Sequence, residues 1–215
     1  MPPVVSIIGH SGSGKTTLIE RLVAELKSRG YHVATIKHTA EGLAFDEPGK
    51  DSWRHVMAGS EATVISSPDK LILIKPLSRE LSLDEAAYIL GEDYDLILAE
   101  GFKQGSAPKI EVHRRGVGPL LSGVRKLIGI VTDEPLESKV RQFSPQDIAA
   151  IADLLEEGFI KSQKERVSLY VNNTPVVLSS FPKEFITRVL LGMVSSLKGV
   201  GRIRSLAIFL RREPE

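Results

Sequence analysis

The stretch GHSGSGKTT, residues 9–17, sets glycine and serine ahead of one lysine and two threonines. Gly9-His10-Ser11-Gly12-Ser13-Gly14-Lys15-Thr16 fits the phosphate-binding pattern G-x-x-x-x-G-K-[ST]. Glycines, lacking Cβ, let successive backbone N–H groups converge on one phosphate. A helix beginning near Lys15 adds the positive end of its dipole. The expected nucleotide contacts are therefore Ser11, Gly12, Ser13, Gly14, Lys15, Thr16 and Thr17. The Lys15 ammonium would reach the β- and γ-phosphates, and the Thr16 hydroxyl would ligate Mg²⁺. His10 lies inside this loop, where backbone rather than side chain does the binding.

Holding magnesium or its water needs a second acidic group. YDLILAEG (94–101) supplies one, because an apolar strand there ends in Glu100, whereas Asp95 caps the strand's start. Glu100 is thus a candidate for both metal binding and catalysis. Asp46 and Asp51, in FDEPGKDS, are candidates for a switch-like loop over the γ-phosphate, Asp46 as a metal ligand and Asp51 as an anion or substrate contact. Turn chemistry alone explains that segment equally well. Lys37 and His38 stand at a strand's C-terminal end, where ligands collect in open α/β sheets, and Lys103 and Lys109 flank the segment after Glu100. Each could meet an anion, or could cap or solvate its strand. None of the five histidines forms an H-x-x-x-H pair, which argues against a histidine metal site.

These residues need a scaffold. VVSII (4–8), YHVATIK (31–37), YDLILAE (94–100), KIEV (109–112) and KLIGIVT (126–132) read as strands. Leu18, Ile19, Leu22, Val23 and Leu26 recur at helical spacing and Gly30 stops them. Ser82 and Glu85 make a capping box for a helix over 82–90, and SPQDIAAIADLLEEGF (144–159) is helical from its cap onward. ATVISS (62–67) and KLILIKP (70–76) predict a hairpin turning at Pro68-Asp69. The alternation predicts an α/β fold of the P-loop NTPase type, a mostly parallel sheet flanked by helices, over residues 1–162. RRGVGPLLSGVRK (114–126), basic and glycine-rich, reads as a mobile loop. After the polar KSQKERV the pattern changes. Two strands flank Asn172-Asn173-Thr174, a helix carries Phe185, Val189 and Met193 on one face, and IRSLAIFLR (203–211) alternates as a strand. This predicts a small ββαβ module over 166–215.

With 215 residues, 42% of them hydrophobic, the chain can fill one domain and a smaller module. Its apolar runs are too short to span a bilayer, and MPPVVSIIGH lacks the basic start of a secretory leader, so no membrane partner is expected. The absence of cysteine fits a reducing, cytoplasmic setting. A net charge of +1 leaves no electrostatic footprint for nucleic acid.

GHSGSGKTTL, IKH (36–38), DEPGKDS (46–52), YDLILAEGFK (94–103), PKIEV (108–112) and VTDEPL (131–136) occur in this order. Together they resemble the molybdopterin-guanine dinucleotide biosynthesis protein B family, over residues 4 to about 160. The resemblance implies a homodimeric, Mg²⁺-dependent GTP-binding protein with weak GTPase activity. It would act as adapter to the guanylyltransferase that converts molybdopterin to its guanine dinucleotide. The N/T-K-x-D guanine signature is absent, so Asp133, at the end of KLIGIVT, is the candidate guanine reader; a turn residue before Pro135 is the plainer reading. The competing class is a P-loop kinase for a small molecule, with 114–126 as its lid.

Overall fold

In the computed structural model, which describes residues 1–39, 46–162, 167–172, 174–176, 178–203 and 205–210, the β-branched run at the N-terminus is the central strand β1 (Val4–Ile8). The P-loop leads from it into α1 (Lys15–Ser28), and β2 (Val33–Lys37) follows. A short helix α2 (Asp51–Met57) precedes the hairpin β3 (Thr63–Ser66) and β4 (Leu71–Ile74). Then come α3 (Leu83–Leu90), β5 (Leu96–Glu100), β6 (Lys109–Val112), β7 (Leu127–Val131), the two-residue β8 (Gln142–Phe143) and α4 (Ile148–Leu155). A π-helical turn, Glu156–Ile160, continues α4.

Six strands form one sheet in the order β2-β5-β1-β6-β7-β8. Every pairing in it is parallel, so all C-terminal strand ends lie along one edge. One face packs against α1 and α4. Leu18, Leu22 and Leu26 of α1 and Ile151 and Leu155 of α4 meet Val5, Ile7, Leu98 and Ile110 there. Burying side chains of this size stabilises by about 1.5–3 kcal/mol each. Arg29, at the end of α1, donates to Asp153 and Glu156 at 2.7 Å and so ties the two helices together. The opposite face carries a smaller cluster of Ala34, Ala87 of α3, and Ile97.

The α3 capping box forms as expected, with Ser82 Oγ accepting from the Glu85 N–H. Asp95 also behaves as read, accepting the His32 N–H at 2.9 Å and pinning the start of β5 to that of β2. α4 begins at Ile148, with Asp147 rather than Ser144 as its N-cap, because Ser144 O accepts the Asp147 N–H in a turn that precedes the helix. The hairpin is antiparallel and turns at 67–70. Its pairs Val64↔Leu73 and Ile65↔Ile72 present apolar side chains on alternate faces, and all four residues are exposed.

The chain divides into two compact units, Met1–Lys164 and Glu165–Glu215. In the second, β9 (Leu169–Val171) pairs antiparallel with β10 (Thr174–Val176), and Asn172 between them takes φ 51°. α5 (Ser180–Ser195) follows. The strand expected over 203–211 is not formed at 203 or 205–210, and 204 and 211 lie outside the described residues. Alternation alone does not make a strand without a partner edge to bond. The second unit is ββα among its described residues.

Candidate functional site

Because β5 is the direct neighbour of β1, the strand-end carboxylate and the glycine-rich loop meet. Ile7 pairs with Glu100, and Glu100 pairs in turn with Lys37 of β2. Glu100 shares the sheet face that α1 covers. Its Oε2 accepts a hydrogen bond from Thr16 Oγ1 at 3.0 Å. The hydroxyl and the carboxylate expected to share a magnesium ion are therefore adjacent.

The loop's glycines are used for different reasons. A Cβ on Gly9 would lie 2.4 Å from Val112 O, so no side chain fits between β1 and β6. Gly12 and Gly14 adopt φ 76° and 100°, left-handed conformations that disfavour other residues. Gly14 is the N-cap of α1, with no side-chain cap and no acidic residue in the first turn. The first intrahelical bond runs from Leu18 N–H to Gly14 O at 3.0 Å, so the N–H groups of Lys15, Thr16 and Thr17 are left to point out of the helix end. An anion is the natural partner for such donors.

Lys15 is half-buried and its Nζ donates to His10 O at 2.8 Å, folded back on its own loop. Burial holds its ammonium pKa below the ordinary lysine value. Glu100 pulls it up again, and Lys103 and Lys37 push it down. Three lysines and one carboxylate thus share one electrostatic neighbourhood. Thr16 and Glu100 supply hard oxygen ligands, and Mg²⁺ is usually held by one or two protein oxygens plus phosphate and water. Among the described residues no cluster of three or more His, Asp or Glu could hold a metal alone.

The other sequence candidates fall at different places. Asp46 Oδ1 accepts from Ser52 Oγ at 2.9 Å, and its Oδ2 is buried without a partner among the described residues. Asp51 opens α2 and lies 3.6 Å from the Arg54 guanidinium at an exposed position. His38 pairs with Glu80 and tilts against the Phe102 ring, 4.9 Å between centroids. Lys109 corrects the expectation of a solvating or anion-receiving lysine. It is 1% exposed, and its Nζ donates to Gly105 O at 2.6 Å and Ala107 O at 2.8 Å, closing the loop after β5. Burial, then the nearby charge of Lys126, lowers its pKa.

Asp133 lies just past the C-terminal end of β7, on the P-loop edge of the sheet. Its Oδ1 accepts the Arg115 N–H at 2.8 Å. It anchors the 114–126 loop whatever else it does. That loop, expected to be mobile, is held again by His10 Nε2 against Pro119 O at 2.9 Å and by Glu111 Oε1 against the Leu121 N–H at 2.6 Å. Glu111 is the site residue that sequence reasoning missed. A charged residue in KIEV reads as facing solvent, and only the returning loop encloses it.

The family described as molybdopterin guanine dinucleotide synthesis protein B matches residues 4–133. A molybdopterin-guanine dinucleotide biosynthesis adapter protein of Haemophilus influenzae is 36% identical over 156 residues, 72% of this chain and 88% of that protein. The Escherichia coli protein of the same description is 34% identical, over 75% of this chain and 95% of its own length. Among solved structures, a molybdopterin-guanine biosynthesis protein B superposes with a TM-score of 0.59 at 30% identity, over 73% of this chain and 99% of that one. A MobB homolog from Bacillus stearothermophilus gives 0.57 at 26% identity, over 74% and 99%.

Proposed function

This chain belongs to the molybdopterin guanine dinucleotide synthesis protein B family, and from that premise we propose that it is a GTP-binding adapter in molybdenum cofactor biosynthesis. It would serve a molybdenum cofactor guanylyltransferase that converts molybdopterin to its guanine dinucleotide, and hydrolyse GTP slowly. The observation that carries the nucleotide reading is the Thr16–Glu100 contact at 3.0 Å beneath an uncapped, glycine-led helix. Relatives described as adapters carry the pathway reading.

In this reading the backbone N–H groups of residues 11–17 cradle the phosphates and Lys15 leaves His10 O to reach the β- and γ-oxygens. Thr16 and Glu100 would hold magnesium, which would supply positive charge against that of the triphosphate. Glu100 also orients water near the γ-phosphate. Lys37, His38 and Lys103 lie around the same strand ends as contacts for an anionic substrate such as molybdopterin. A calorimetric panel of nucleotides with Mg²⁺, with and without molybdopterin, tests the assignment. Binding restricted to GTP, with hydrolysis that changes on adding a guanylyltransferase, is expected. Consumption of nucleotide matched by a phosphorylated small molecule would make the protein a kinase instead.

Guanine is read by Asp133 in this proposal. An ionised carboxylate accepts only, and the guanine N1–H and N2–H₂ donors match it. Asp133→Asn keeps an oxygen for the Arg115 N–H, so the loop anchor survives the change. Losing one charged hydrogen bond should lower GTP affinity about tenfold and raise that for XTP. Competition binding reads both; unchanged GTP affinity with no gain for XTP assigns guanine to other groups.

The β3–β4 hairpin is the proposed seat of a homodimer. Val64, Leu71 and Leu73 alternate with Ile65 and Ile72 along an isolated two-stranded ribbon, and all five are exposed. A ribbon apolar on both faces needs a cover. Light scattering at micromolar concentration should give twice the chain mass for the wild type. The double variant Leu71→Glu, Leu73→Glu should give the mass of one folded chain, and a monomeric wild type would refute the assignment.

A further inference from the structure

Glu111 is 1% exposed and sits in β6 opposite Ile8, one residue before the P-loop begins. It faces the side of the sheet away from α1. Its Oε1 accepts the Leu121 N–H at 2.6 Å, while Oε2 is buried with no partner among the described residues. A carboxyl so enclosed is costly unless its position is used. Burial pushes its pKa up, against the pull of the Leu121 N–H and of His113, His10 and Lys103 nearby. The contact with Leu121 needs only an acceptor oxygen.

A second contact joins the same loop to the P-loop itself. Pro119 O can only accept, so His10 Nε2 carries the proton and donates across 2.9 Å. Gly118 lies against the imidazole so closely that a Cβ there would sit 3.0 Å from His10 Cδ2. Phosphate binding by the loop backbone does not itself call for histidine at position 10. The His10 carbonyl, meanwhile, is the group that holds Lys15 Nζ. One residue therefore touches the phosphate-seeking lysine through its backbone and the 114–126 loop through its ring. Arg114 and Arg115, both exposed, follow the C-terminal end of β6 on the P-loop edge, whereas Arg125 and Lys126 precede β7 at the opposite end of the strands, where Lys126 O accepts the Lys109 N–H.

We infer that Glu111 and His10 are positioning residues that seat the 114–126 loop against the P-loop, so that this basic loop is part of the triphosphate site and tightens when the site is occupied. When Lys15 turns to the phosphates it releases the His10 carbonyl, and the His10 ring passes that change to Pro119. Arg114 and Arg115, on the P-loop edge of the sheet, then complement the polyphosphate charge. The inference rests on the reading that the P-loop binds GTP.

The loop's basic residues make trypsin a direct probe. The full chain would be digested with and without a non-hydrolysable GTP analogue and Mg²⁺, with binding measured by calorimetry in the same buffer. In the wild type the analogue should slow cleavage at Arg114 and Arg115 by about tenfold, since such cleavage follows the population of the open loop. Glu111→Ala and His10→Ala should cleave faster and lose the nucleotide dependence. Glu111→Gln keeps the acceptor for Leu121 and should restore protection, a rescue that a general loss of stability would not give. Should Glu111→Ala not fold, His10→Ala carries the same comparison, because trimming that partly exposed ring opens no core cavity. Calorimetric binding without any change in loop cleavage overturns the inference, as does a Glu111→Gln protein that behaves like Glu111→Ala. Absence of any binding heat overturns the nucleotide reading along with it.

Discussion

A Lys15→Ala protein should fold normally and bind GTP roughly ten- to a hundredfold more weakly, the loss of one charge-assisted contact of about 1.5–3 kcal/mol. The fold is insensitive to the change because the hydrogen bond that Lys15 makes, to His10 O, is one that carbonyl can spare. His10 O also accepts the Ser13 N–H, at 3.3 Å. Lys37 and Lys103 do not substitute for the missing ammonium. Both are exposed, where solvent and salt screen them, whereas Lys15 is half-buried beside the uncapped helix end. Calorimetric titration with GTP and Mg²⁺, alongside a thermal melt, checks both halves of the expectation. Unchanged affinity in a folded variant removes Lys15 from the phosphate site and the P-loop assignment with it.

The parts of this site that were legible in the sequence are those governed by local rules. Gly12 and Gly14 were readable because left-handed backbone demands glycine, and Ser82 with Glu85 because a capping box closes within one turn. The apolar runs of β1 and β5 announced themselves as buried on both faces, and their parallel pairing set Glu100 beside Thr16. What the sequence concealed depends on which loops return over which strands. Lys109 and Glu111 alternate with Ile110 and Val112 as a half-exposed strand would. They are enclosed because the backbone of Gly105, Ala107 and Leu121 folds over them. α2 was not foreseen because it is seven residues long, and Trp53, Val56 and Met57 make less than two turns of apolar spacing, too little to stand out from a turn. β8, only two residues long, is too short for any periodicity. The 114–126 loop reads as free because glycine and arginine dominate it, yet its anchors at Asp133, His10 and Glu111 lie on other strands and loops.

Glu100→Gln should leave GTP binding in the absence of magnesium nearly unchanged and reduce magnesium-dependent hydrolysis by about a hundredfold or more, within the range for a positioned acid–base or water-orienting group. The variant isolates charge from shape. Glutamine keeps an oxygen where Oε2 accepts the Thr16 hydroxyl, so the geometry at the end of β5 survives, and only the negative charge facing the metal and the attacking water is lost. A group that acts in the transition state lowers kcat and kcat/KM together, whereas one that merely binds substrate raises KM. Weaker magnesium dependence with the same kcat would make Glu100 a metal ligand alone. Wild-type turnover at every magnesium concentration would pass its role to Asp46 before Asp51. Asp46 keeps a buried Oδ2 with no partner among the described residues, while the Asp51 side chain is 89% exposed beside Arg54. Single-turnover hydrolysis measured across magnesium concentrations separates these outcomes, because it reads the chemical step without product release.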